Sequence, residues 1–329
     1  MDENASLRRR VEEALMRIAV IGAGGVGGYF GGRLAQAGHD VTFIARGATL
    51  DALKSNGLRV DSILGDFVID PVQVTNDPAS IGEVDAILMA VKAWQLPEAA
   101  TGALPMIGAE TIVVPLENGI DAPDVLANIV GREHVAGGLC AIVSFVVEPG
   151  RIKHAASEPI VMFGELDNRP GERLERLRGA FAGAGVNAEV PQDIHRSMWT
   201  KFLFIATMSG IGALTRVPVG VWRADPEIRN LASRSLHEIV ELASARGVDL
   251  GEDAIQRTWQ RYDALAPDAT SSMQRDIMEG KPSELEAQLG AIVRLARESG
   301  VDVPITSILY HALLPQELRA REERRRPAG

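Results

Sequence analysis

Residues 17–46 read RIAVIGAGGVGGYFGGRLAQAGHDVTFIAR, and this stretch decides the fold of the N-terminal part of the chain. The run RIAVI at its start is mostly apolar and ends in glycines, which is typical of a buried parallel strand. The spacing G-x-G-x-x-G follows at Gly22, Gly24 and Gly27, and a helical pattern then leads to a second apolar run at 40–46. A glycine motif placed between a strand and a helix predicts a dinucleotide-binding β-α-β unit.

The glycines have distinct expected roles in such a unit. Gly22 permits a tight turn, Gly24 lets a pyrophosphate approach the backbone, and Gly27 allows the helix to pack closely on the strand. Amide groups at the N-terminus of the helix then attract the phosphates. We therefore expect cofactor binding at Gly22, Gly24, Gly25 and Gly27. The alternative is a glycine-rich turn that binds nothing.

The end of the second strand indicates which dinucleotide binds. A site specific for NAD has an Asp or Glu there to bind the ribose 2′-hydroxyl, whereas this chain has Ala45 and Arg46. A guanidinium can hold a 2′-phosphate through charged, bidentate hydrogen bonds, so the sequence favours NADP (NADPH). The alternative is that Arg46 is a solvated side chain.

Further apolar, β-branched runs extend this pattern. DAILMAV at 85–91 and TIVVPLE at 111–117 alternate with helical or loop segments, which predicts a mostly parallel sheet in an α/β domain. Two later runs, at 135–147 and 159–163, are expected to be antiparallel strands joined by a turn at EPGR, 148–151.

From about residue 192 helical patterns dominate, so the second domain is expected to be all-α. The predicted helices are 192–214, 224–246, 252–263, 268–279, 283–299 and 304–321. The predicted domains are an N-terminal extension at 1–15, an NADP-binding α/β domain at 16–190, a helical substrate and catalytic domain at 191–322 and a charged tail at 323–329.

Bulk properties exclude several classes of function. The 329 residues carry a formal net charge of −10, so broad binding to nucleic acid or to an acidic membrane, which needs a basic surface, is not expected. Cys140 is the only cysteine, which rules out an internal disulfide and a cysteine-based metal cage and predicts a buried thiol. The scattered histidines indicate no metal cluster. Neither a signal peptide nor an apolar run of membrane-spanning length is evident, so a cytoplasmic location fits.

Several short motifs together resemble the ketopantoate reductase (2-dehydropantoate 2-reductase) family. They occur in the family's order and cover residues 16–315, and they are IGAGGVGG at 21–28, VKAWQ at 91–95, ENG at 117–119, EPGRIKHA at 148–155, WTKFLF at 199–204 and SSMQRDIMEGKPSELE at 271–286. The resemblance implies an N-terminal Rossmann domain, a helical C-terminal domain like that of 6-phosphogluconate dehydrogenase, and an active site in the cleft between them. It also implies hydride transfer from NADPH to a small 2-oxo acid, with 2-dehydropantoate reduced to pantoate in pantothenate biosynthesis as the leading expectation.

Two polar residues lie just past the ends of predicted strands. Lys92 follows the run at 85–91, and Asn118 follows the run at 111–117. Ligands of open α/β sheets bind outside the carboxyl ends of the strands. By resemblance, Lys92 lines the cofactor and substrate site, and Asn118 contacts the nicotinamide half of the cofactor and the substrate. The alternatives are a solvated lysine and an asparagine that forms a turn.

The resemblance also implies the catalytic groups of the helical domain. Hydride addition to a ketone produces an alkoxide, which needs a proton and a stabilising charge, and Lys201 matches the family's general acid. Glu284 matches the glutamate that binds the substrate hydroxyl or orients the lysine, and Ser272 matches the serine that meets the substrate carboxylate. The alternatives are a lysine whose stem lies along apolar surface, a helix-dipole partner and a helix cap, respectively.

The sequence departs from the family pattern on the predicted substrate face. The family has asparagines four and eight residues after the lysine, on the same helix face, where this chain has Ile205 and Ser209. The proline that usually follows is Gly210. Because Ile205 cannot donate a hydrogen bond, the substrate is expected to be either 2-dehydropantoate, gripped through fewer polar contacts, or another 2-oxo acid with a bulkier apolar tail.

Two other hypotheses remain open from the sequence. An opine-like or 3-hydroxyacid dehydrogenase shares the two-domain plan, although the KAWQ and KPSE motifs argue against it. A non-enzymatic NADP-responsive binding protein belongs to another class, and the presence of Lys201 and Glu284 argues against it. A monomer and a homodimer are both compatible with the sequence.

Overall fold

A computed structural model describes residues 15–325, and within them the chain forms two compact units. The first unit runs to Glu117 and resumes at Ala122–Ile194, and the second consists of Asn118–Asp121 and the chain from His195 onward. The division after Ile194 falls close to the boundary predicted from the sequence. The predicted N-terminal extension lies, apart from Leu15, outside the described residues, as do the last four residues of the predicted tail.

All ten described strands belong to the first unit. They are β1 (Arg17–Ile21), β2 (Asp40–Ile44), β3 (Leu58–Ser62), β4 (Phe67–Ile69), β5 (Gln73–Thr75), β6 (Val84–Met89), β7 (Ile107–Pro115), β8 (Ala136–Glu148), β9 (Arg151–Glu165) and β10 (Asn187–Glu189). Five of them form a parallel sheet in the order β5-β2-β1-β6-β7. The predicted parallel sheet is thereby confirmed.

The described helices lie in both units. Those of the first unit are α1 (Gly25–Gln36), α2 (Gly47–Asn56), α3 (Leu96–Ala103), α4 (Ala122–Val130) and α5 (Glu172–Gly183). From residue 194 onward follow α6 (Ile194–Thr215), α7 (Val219–Trp222), α8 (Pro226–Ala245), α9 (Ala254–Ala264), α10 (Ser272–Met278), a π-helix (Glu286–Gly290), α11 (Ala291–Ser299) and α12 (Pro304–Arg325).

Strand β1 is apolar because both of its faces are covered. Ile18 and Val20 belong to one hydrophobic cluster, to which α1 contributes Tyr29 and Phe30. The alternate residues Ala19 and Ile21 belong to a second cluster, which α3 and α4 complete through Leu96, Ala100 and Leu126. A parallel strand buried on both faces needs a continuous apolar run, which is the pattern that predicted it.

A second sheet contains the long hairpin of β8 and β9. These strands pair antiparallel, as predicted, and Gly150 turns the chain so tightly, with φ of +79°, that Glu148 already pairs with Arg151. Strand β9 is therefore much longer than the run predicted at 159–163. It also pairs in parallel with β3 and β10, and β3 pairs with β4.

The second unit is helical, as predicted. Each predicted helix is present, although the 283–299 prediction begins with a π-helix before the α-helix at Ala291–Ser299, and the 268–279 prediction starts only at Ser272. Within residues 15–325 we find no helix whose length and apolar character would suit a membrane crossing. Cys140, on β8, is buried, as predicted for a structural thiol.

Candidate active site

The glycine loop between β1 and α1 has the backbone geometry that its sequence predicts. Gly22 adopts φ of +102°, and a Cβ there would lie 2.5 Å from the Ala90 carbonyl oxygen. A Cβ at Gly27 would lie 3.0 Å from Val20 Cγ1 of β1 and would also collide with the Gly22 carbonyl oxygen. A side chain at Gly22 would therefore collide with the backbone just after β6, and one at Gly27 would push α1 away from β1.

Gly24 and Gly25 differ in what surrounds them. A Cβ at Gly24 would meet nothing within 4 Å, so the space over this residue is open, whereas one at Gly25 would lie 2.7 Å from the Ser144 carbonyl oxygen. Gly24 is the N-cap of α1 and has no side chain to occupy the amide groups of the first turn. Open space above exposed amides at a helix N-terminus suits a pyrophosphate.

Arg46 lies at the start of α2, just after β2, as its N-cap residue. Its side chain is exposed, and Nη1 lies 2.5 Å from Oε1 of Glu98, in the first turn of α3. Because exposed ion pairs contribute little to stability, an anionic ligand could take the place of this carboxylate at small cost. The residue is thus accessible for the predicted contact with a 2′-phosphate, which stays a prediction.

Lys92 follows β6 and begins a tight turn. Its amide donates to Gln95 Oε1 at 3.3 Å, and the Gln95 amide donates to the Lys92 carbonyl oxygen at 2.8 Å. The Lys92 ammonium lies 5.8 Å from the ring centroid of Trp94. These contacts give a structural reason for the residues of the KAWQ motif, and they hold a half-buried lysine just beyond the carboxyl end of a strand.

Asn118 belongs to the second unit and contacts a predicted catalytic residue there. Its Nδ2 donates to Oε2 of Glu284 at 3.3 Å, although 166 positions separate the two residues. Gly119 adopts φ of +148°, and a Cβ there would lie 3.1 Å from the Ala287 carbonyl oxygen. Asn118 therefore precedes a glycine turn and binds a buried carboxylate, and its predicted contacts with the cofactor and the substrate stay a prediction.

An ion pair that sequence analysis missed also joins the segment 118–121 to the helical unit. Asp121, at the end of the short segment 118–121, pairs with Arg294 of α11, and Arg294 also donates to Oε1 of Glu286 at 3.2 Å. These partners are far apart along the chain, and their residue types are common on helix surfaces. No local sequence signal could have identified the pair.

Lys201 lies on α6, one turn before Ile205 and two turns before Ser209. Its neighbours Trp199 and Phe202 are buried and pack edge to face with ring centroids 5.7 Å apart, as expected for core residues. Lys201 itself is half-buried, and within residues 15–325 its ammonium has neither a hydrogen-bond nor an ion-pair partner. A half-buried ammonium without such a partner is chemically suited to bind an anion or to donate a proton.

The helix face that follows Lys201 leads into the protein interior at Ser209. Ile205 is partly buried and Ser209 is fully buried, and Ser209 Oγ has no hydrogen-bond partner among the described residues. Gln288 of the π-helix, which sequence analysis did not identify, is likewise fully buried with both amide atoms unpaired there. Buried polar atoms without a hydrogen-bond partner are uncommon in folded proteins, so Ser209 and Gln288 are unusual in this respect.

Ser272 is the first residue of α10, but it does not cap that helix. The cap is Ser271, whose Oγ accepts a hydrogen bond from the Gln274 amide at 3.1 Å. The alternative considered for Ser272, a helix cap, is therefore wrong. Ser272 is partly buried, and its predicted contact with a substrate carboxylate stays a prediction.

No group of three or more metal-ligating side chains is assembled within residues 15–325. The predicted site residues of the second unit are instead a carboxylate and an amide in contact with each other, Glu284 and Asn118, and the ammonium of Lys201. Such a set can bind and protonate an oxygen atom of a substrate. The glycine loop, Arg46 and Lys92 in the first unit offer amides and cations suited to phosphates.

Comparison with known proteins agrees with the motif-based resemblance. The family model described as ketopantoate reductase PanE/ApbA matches residues 18–168, and the model described as ketopantoate reductase PanE/ApbA C terminal matches residues 193–317. The chain is 30% identical over 295 residues to the uncharacterized oxidoreductase YkpB of Bacillus subtilis (strain 168), covering 90% of this chain and 97% of that protein.

Relatives with a named activity cover the chain to a similar extent. A 2-dehydropantoate 2-reductase from Nostoc sp. is 29% identical over 304 residues, covering 90% of this chain and 94% of that protein. Among solved structures, the 2-dehydropantoate 2-reductase from Geobacter metallireducens GS-15 matches with a TM-score of 0.85 at 30% identity, covering 91% of this chain and 99% of that one.

Proposed function

This chain belongs to the ketopantoate reductase family and is therefore an oxidoreductase, and we propose that it reduces a 2-oxo acid to the 2-hydroxy acid with NADPH. The leading candidate substrate is 2-dehydropantoate, because several relatives are named 2-dehydropantoate 2-reductase. The observation that carries the proposal is the contact between Asn118 and Glu284, which brings two predicted site residues together in the unit that also contains Lys201.

Most residues that would hold the cofactor belong to the first unit, and one of them, Asn118, belongs to the second. The loop at Gly22, Gly24, Gly25 and Gly27 offers amides to the pyrophosphate, and the open space over Gly24 supports this assignment. Arg46 would bind the 2′-phosphate, and Lys92 and Asn118 would contact the nicotinamide half. When bound, NADPH supplies the hydride that the carbonyl carbon of the substrate accepts.

Lys201 provides the proton in this proposal. As the carbonyl carbon accepts a hydride, the carbonyl oxygen gains negative charge and must be stabilised and protonated. The Lys201 ammonium is half-buried and has no protein partner among residues 15–325, so it can donate to that oxygen without first breaking an ion pair. The proton moves from Nζ to the oxygen and leaves a neutral amine, which solvent reprotonates.

Glu284 and Asn118 would act together on the substrate. Because the Asn118 amide donates to Glu284 Oε2, the carboxylate is held in a fixed orientation at the start of its helix. We propose that the Glu284 carboxylate also binds either the substrate hydroxyl or the Lys201 ammonium. Ser272 would bind the substrate carboxylate. The cleft that the resemblance places between the domains stays a prediction.

One observation favours a second substrate class. Ile205 lies one helical turn beyond Lys201 and is partly buried, so it offers an apolar surface next to the proposed proton donor. A 2-oxo acid with a bulkier apolar tail would bury its tail there, whereas 2-dehydropantoate ends in a hydroxyl. Of the two residues that follow Lys201 on this helix face, Ile205 offers no hydroxyl and Ser209 offers one.

The test is oxidation of NADPH by the purified protein with 2-dehydropantoate and with a panel of 2-oxo acids of increasing side-chain size. We expect turnover with at least one of them and its loss in Lys201→Ala. A bulkier acid as the best substrate would assign the second class, and turnover that needs an added amine would indicate an opine-like enzyme. If NADPH binds and no oxo acid is reduced, the proposal is wrong and a binding function becomes the better explanation.

A further inference from the structure

A buried carboxylate on α12 holds the residue that directly precedes Glu284. Glu317 is 3% exposed, and its two oxygens accept hydrogen bonds from the Ser283 amide at 3.1 and 2.9 Å. The Ser283 hydroxyl donates to Oε2 of the same carboxylate at 2.5 Å. We propose that Glu317 is a positioning residue, which fixes the Glu284 carboxylate for the reaction through Ser283.

The Ser283 backbone is bound on every side. In addition to the contacts with Glu317, the carbonyl oxygen of Ser283 accepts from Nη2 of Arg321 at 3.3 Å. Arg321 also donates through Nε to Oε1 of Glu317 at 2.6 Å, so the buried carboxylate has a charged partner. A buried charge that is both paired and hydrogen-bonded can be retained in the folded protein, and here both the carboxylate and its charged partner bind Ser283.

Ser283 also binds the backbone of Leu285, the residue that follows Glu284. The Leu285 amide donates to Ser283 Oγ at 3.3 Å, while that hydroxyl donates to Glu317. The residues on both sides of Glu284 are therefore held by Glu317: Ser283 directly, and Leu285 through the Ser283 hydroxyl. Its own Oε2 accepts from Asn118, so the chain of contacts runs from Glu317 through Ser283 to the proposed substrate-binding group.

The chain offers a matched control for this arrangement. Glu238 is also a buried carboxylate, and it accepts from the amides of Ile305 and Thr306 at 2.7 and 2.8 Å and from the Thr306 hydroxyl at 2.7 Å. Like Glu317, it accepts hydrogen bonds from the backbone and from one hydroxyl. Its partners lie in the first turn of α12, the helix that carries Glu317. Its partners are not adjacent to Glu284 in sequence, so a merely structural carboxylate should behave like Glu238.

The inference rests on the proposed role of Glu284, and the test compares Glu317→Gln with Glu238→Gln. The side-chain amide of a glutamine at 317 has two possible orientations. In one, its NH2 group faces two other donors, Arg321 Nε and the Ser283 amide. In the other, its NH2 group faces the Ser283 hydroxyl, which must then accept a hydrogen bond instead of donating one. We expect Glu317→Gln to lower kcat about 10- to 100-fold because small misplacements of reacting groups have effects of this size. The KM for NADPH should stay within about twofold, and Glu238→Gln should leave kcat near that of the wild type even if both variants lose similar stability.

A double-substitution cycle separates positioning from stability. In a Glu284→Ala background, Glu317→Gln should cause no further fall in the residual kcat, because the group through which it acts is gone. A further fall as large as in the wild-type background, or an equal fall from Glu238→Gln, would overturn the proposal.

Crystal structures of both variants give a readout that does not depend on turnover. We expect the contact between Glu284 and Asn118 to be lost in Glu317→Gln and retained in Glu238→Gln. An unchanged Glu284 carboxylate in the Glu317→Gln structure would overturn the positioning role. If the wild-type protein reduces no 2-oxo acid, the proposed function fails, and the structures still decide whether Glu317 positions this carboxylate.

Discussion

At the scale of single residues, cofactor choice depends on Arg46 and its carboxylate partner. The guanidinium is exposed and, among residues 15–325, paired only with Glu98, and a charged hydrogen bond to a 2′-phosphate is worth more than such a surface pair. We expect Arg46→Ala to weaken NADPH binding about 10- to 100-fold, as measured by fluorescence titration.

The control for this prediction is the other nicotinamide cofactor. NADH lacks the 2′-phosphate, so its Kd should be nearly the same for Arg46→Ala and the wild type. Glu98→Gln should tighten NADPH binding, since it removes the negative charge that competes with the phosphate for Arg46. Equal weakening of NADH and NADPH by Arg46→Ala would show that the guanidinium does not contact the phosphate.

The two buried glutamines of the helical unit should respond oppositely to the same substitution. Gln288 has no partner for its amide among residues 15–325, whereas Gln274, equally buried, donates through Nε2 to the Val217 carbonyl oxygen at 3.0 Å. Gln288→Leu should raise the free energy of unfolding by about 1 kcal/mol, and Gln274→Leu should lower it by about 1–3 kcal/mol. Urea denaturation of the two variants measures both changes. A loss of stability in Gln288→Leu as large as in Gln274→Leu would mean that the Gln288 amide is paired in solution.

At the scale of elements, the start of β1 depends on a neutral histidine. The Met16 amide donates to Nδ1 of His39 at 3.1 Å, and burial lowers the pKa of His39 below its ordinary value. The unfolded chain therefore takes up a proton at higher pH than the folded one, so the stability that neutral His39 supports is lost as the pH falls through and below about 6.5.

The measurement is the free energy of unfolding as a function of pH. We expect His39→Gln to show a shallower loss of stability than the wild type on acidification in this range. His237→Gln is the control, because His237 is exposed and its Nδ1 lies 2.7 Å from the carbonyl oxygen of Ser233 on its own helix. If His39→Gln and the wild type lose stability in parallel, another group causes the pH dependence.

Most elements were predictable because their residues repeat a clear period. The run RIAVI shows its burial on both faces directly, and α8 shows an apolar stripe over several turns that includes Ala232, Leu236, Ile239 and Ala243. Strands β3, β4 and β5, of three to five residues, are too short to show alternation, and we did not predict them. The π-helix at Glu286–Gly290 was also missed, since an α-helix and a π-helix share nearly the same sequence preferences.

At the scale of the whole molecule, the second unit contains a segment taken from the middle of the first. Residues 118–121 lie in the helical unit although the chain on both sides belongs to the α/β unit. The sequence placed Asn118 at the end of a strand, which was enough to make it a candidate. Its contact with Glu284, and the pairing of Asp121 with Arg294, are non-local and follow from the tertiary structure alone.

The division of the molecule predicts that cofactor binding and proton donation can be separated by mutation. The glycine loop and Arg46 belong to the first unit, whereas Lys201 belongs to the second. A ligand that binds only the folded state stabilises it by RT ln(1 + [L]/Kd), which is about 2.7 kcal/mol at a hundred times Kd. Lys201→Met should therefore gain nearly the same stability from saturating NADPH as the wild type, while its turnover of every 2-oxo acid is lost.

Thermal unfolding with and without NADPH measures this gain, and Arg46→Ala is the reciprocal control. That variant should gain less stability from NADPH at the same concentration, because its Kd is larger, yet it should retain turnover when NADPH is raised to saturation. If Lys201→Met gains no stability from NADPH, the lysine contributes to cofactor binding itself. Its proposed role would then shift from proton donor to cofactor ligand, and the half-buried, unpaired ammonium would be explained by the cofactor's phosphates rather than by the substrate oxygen.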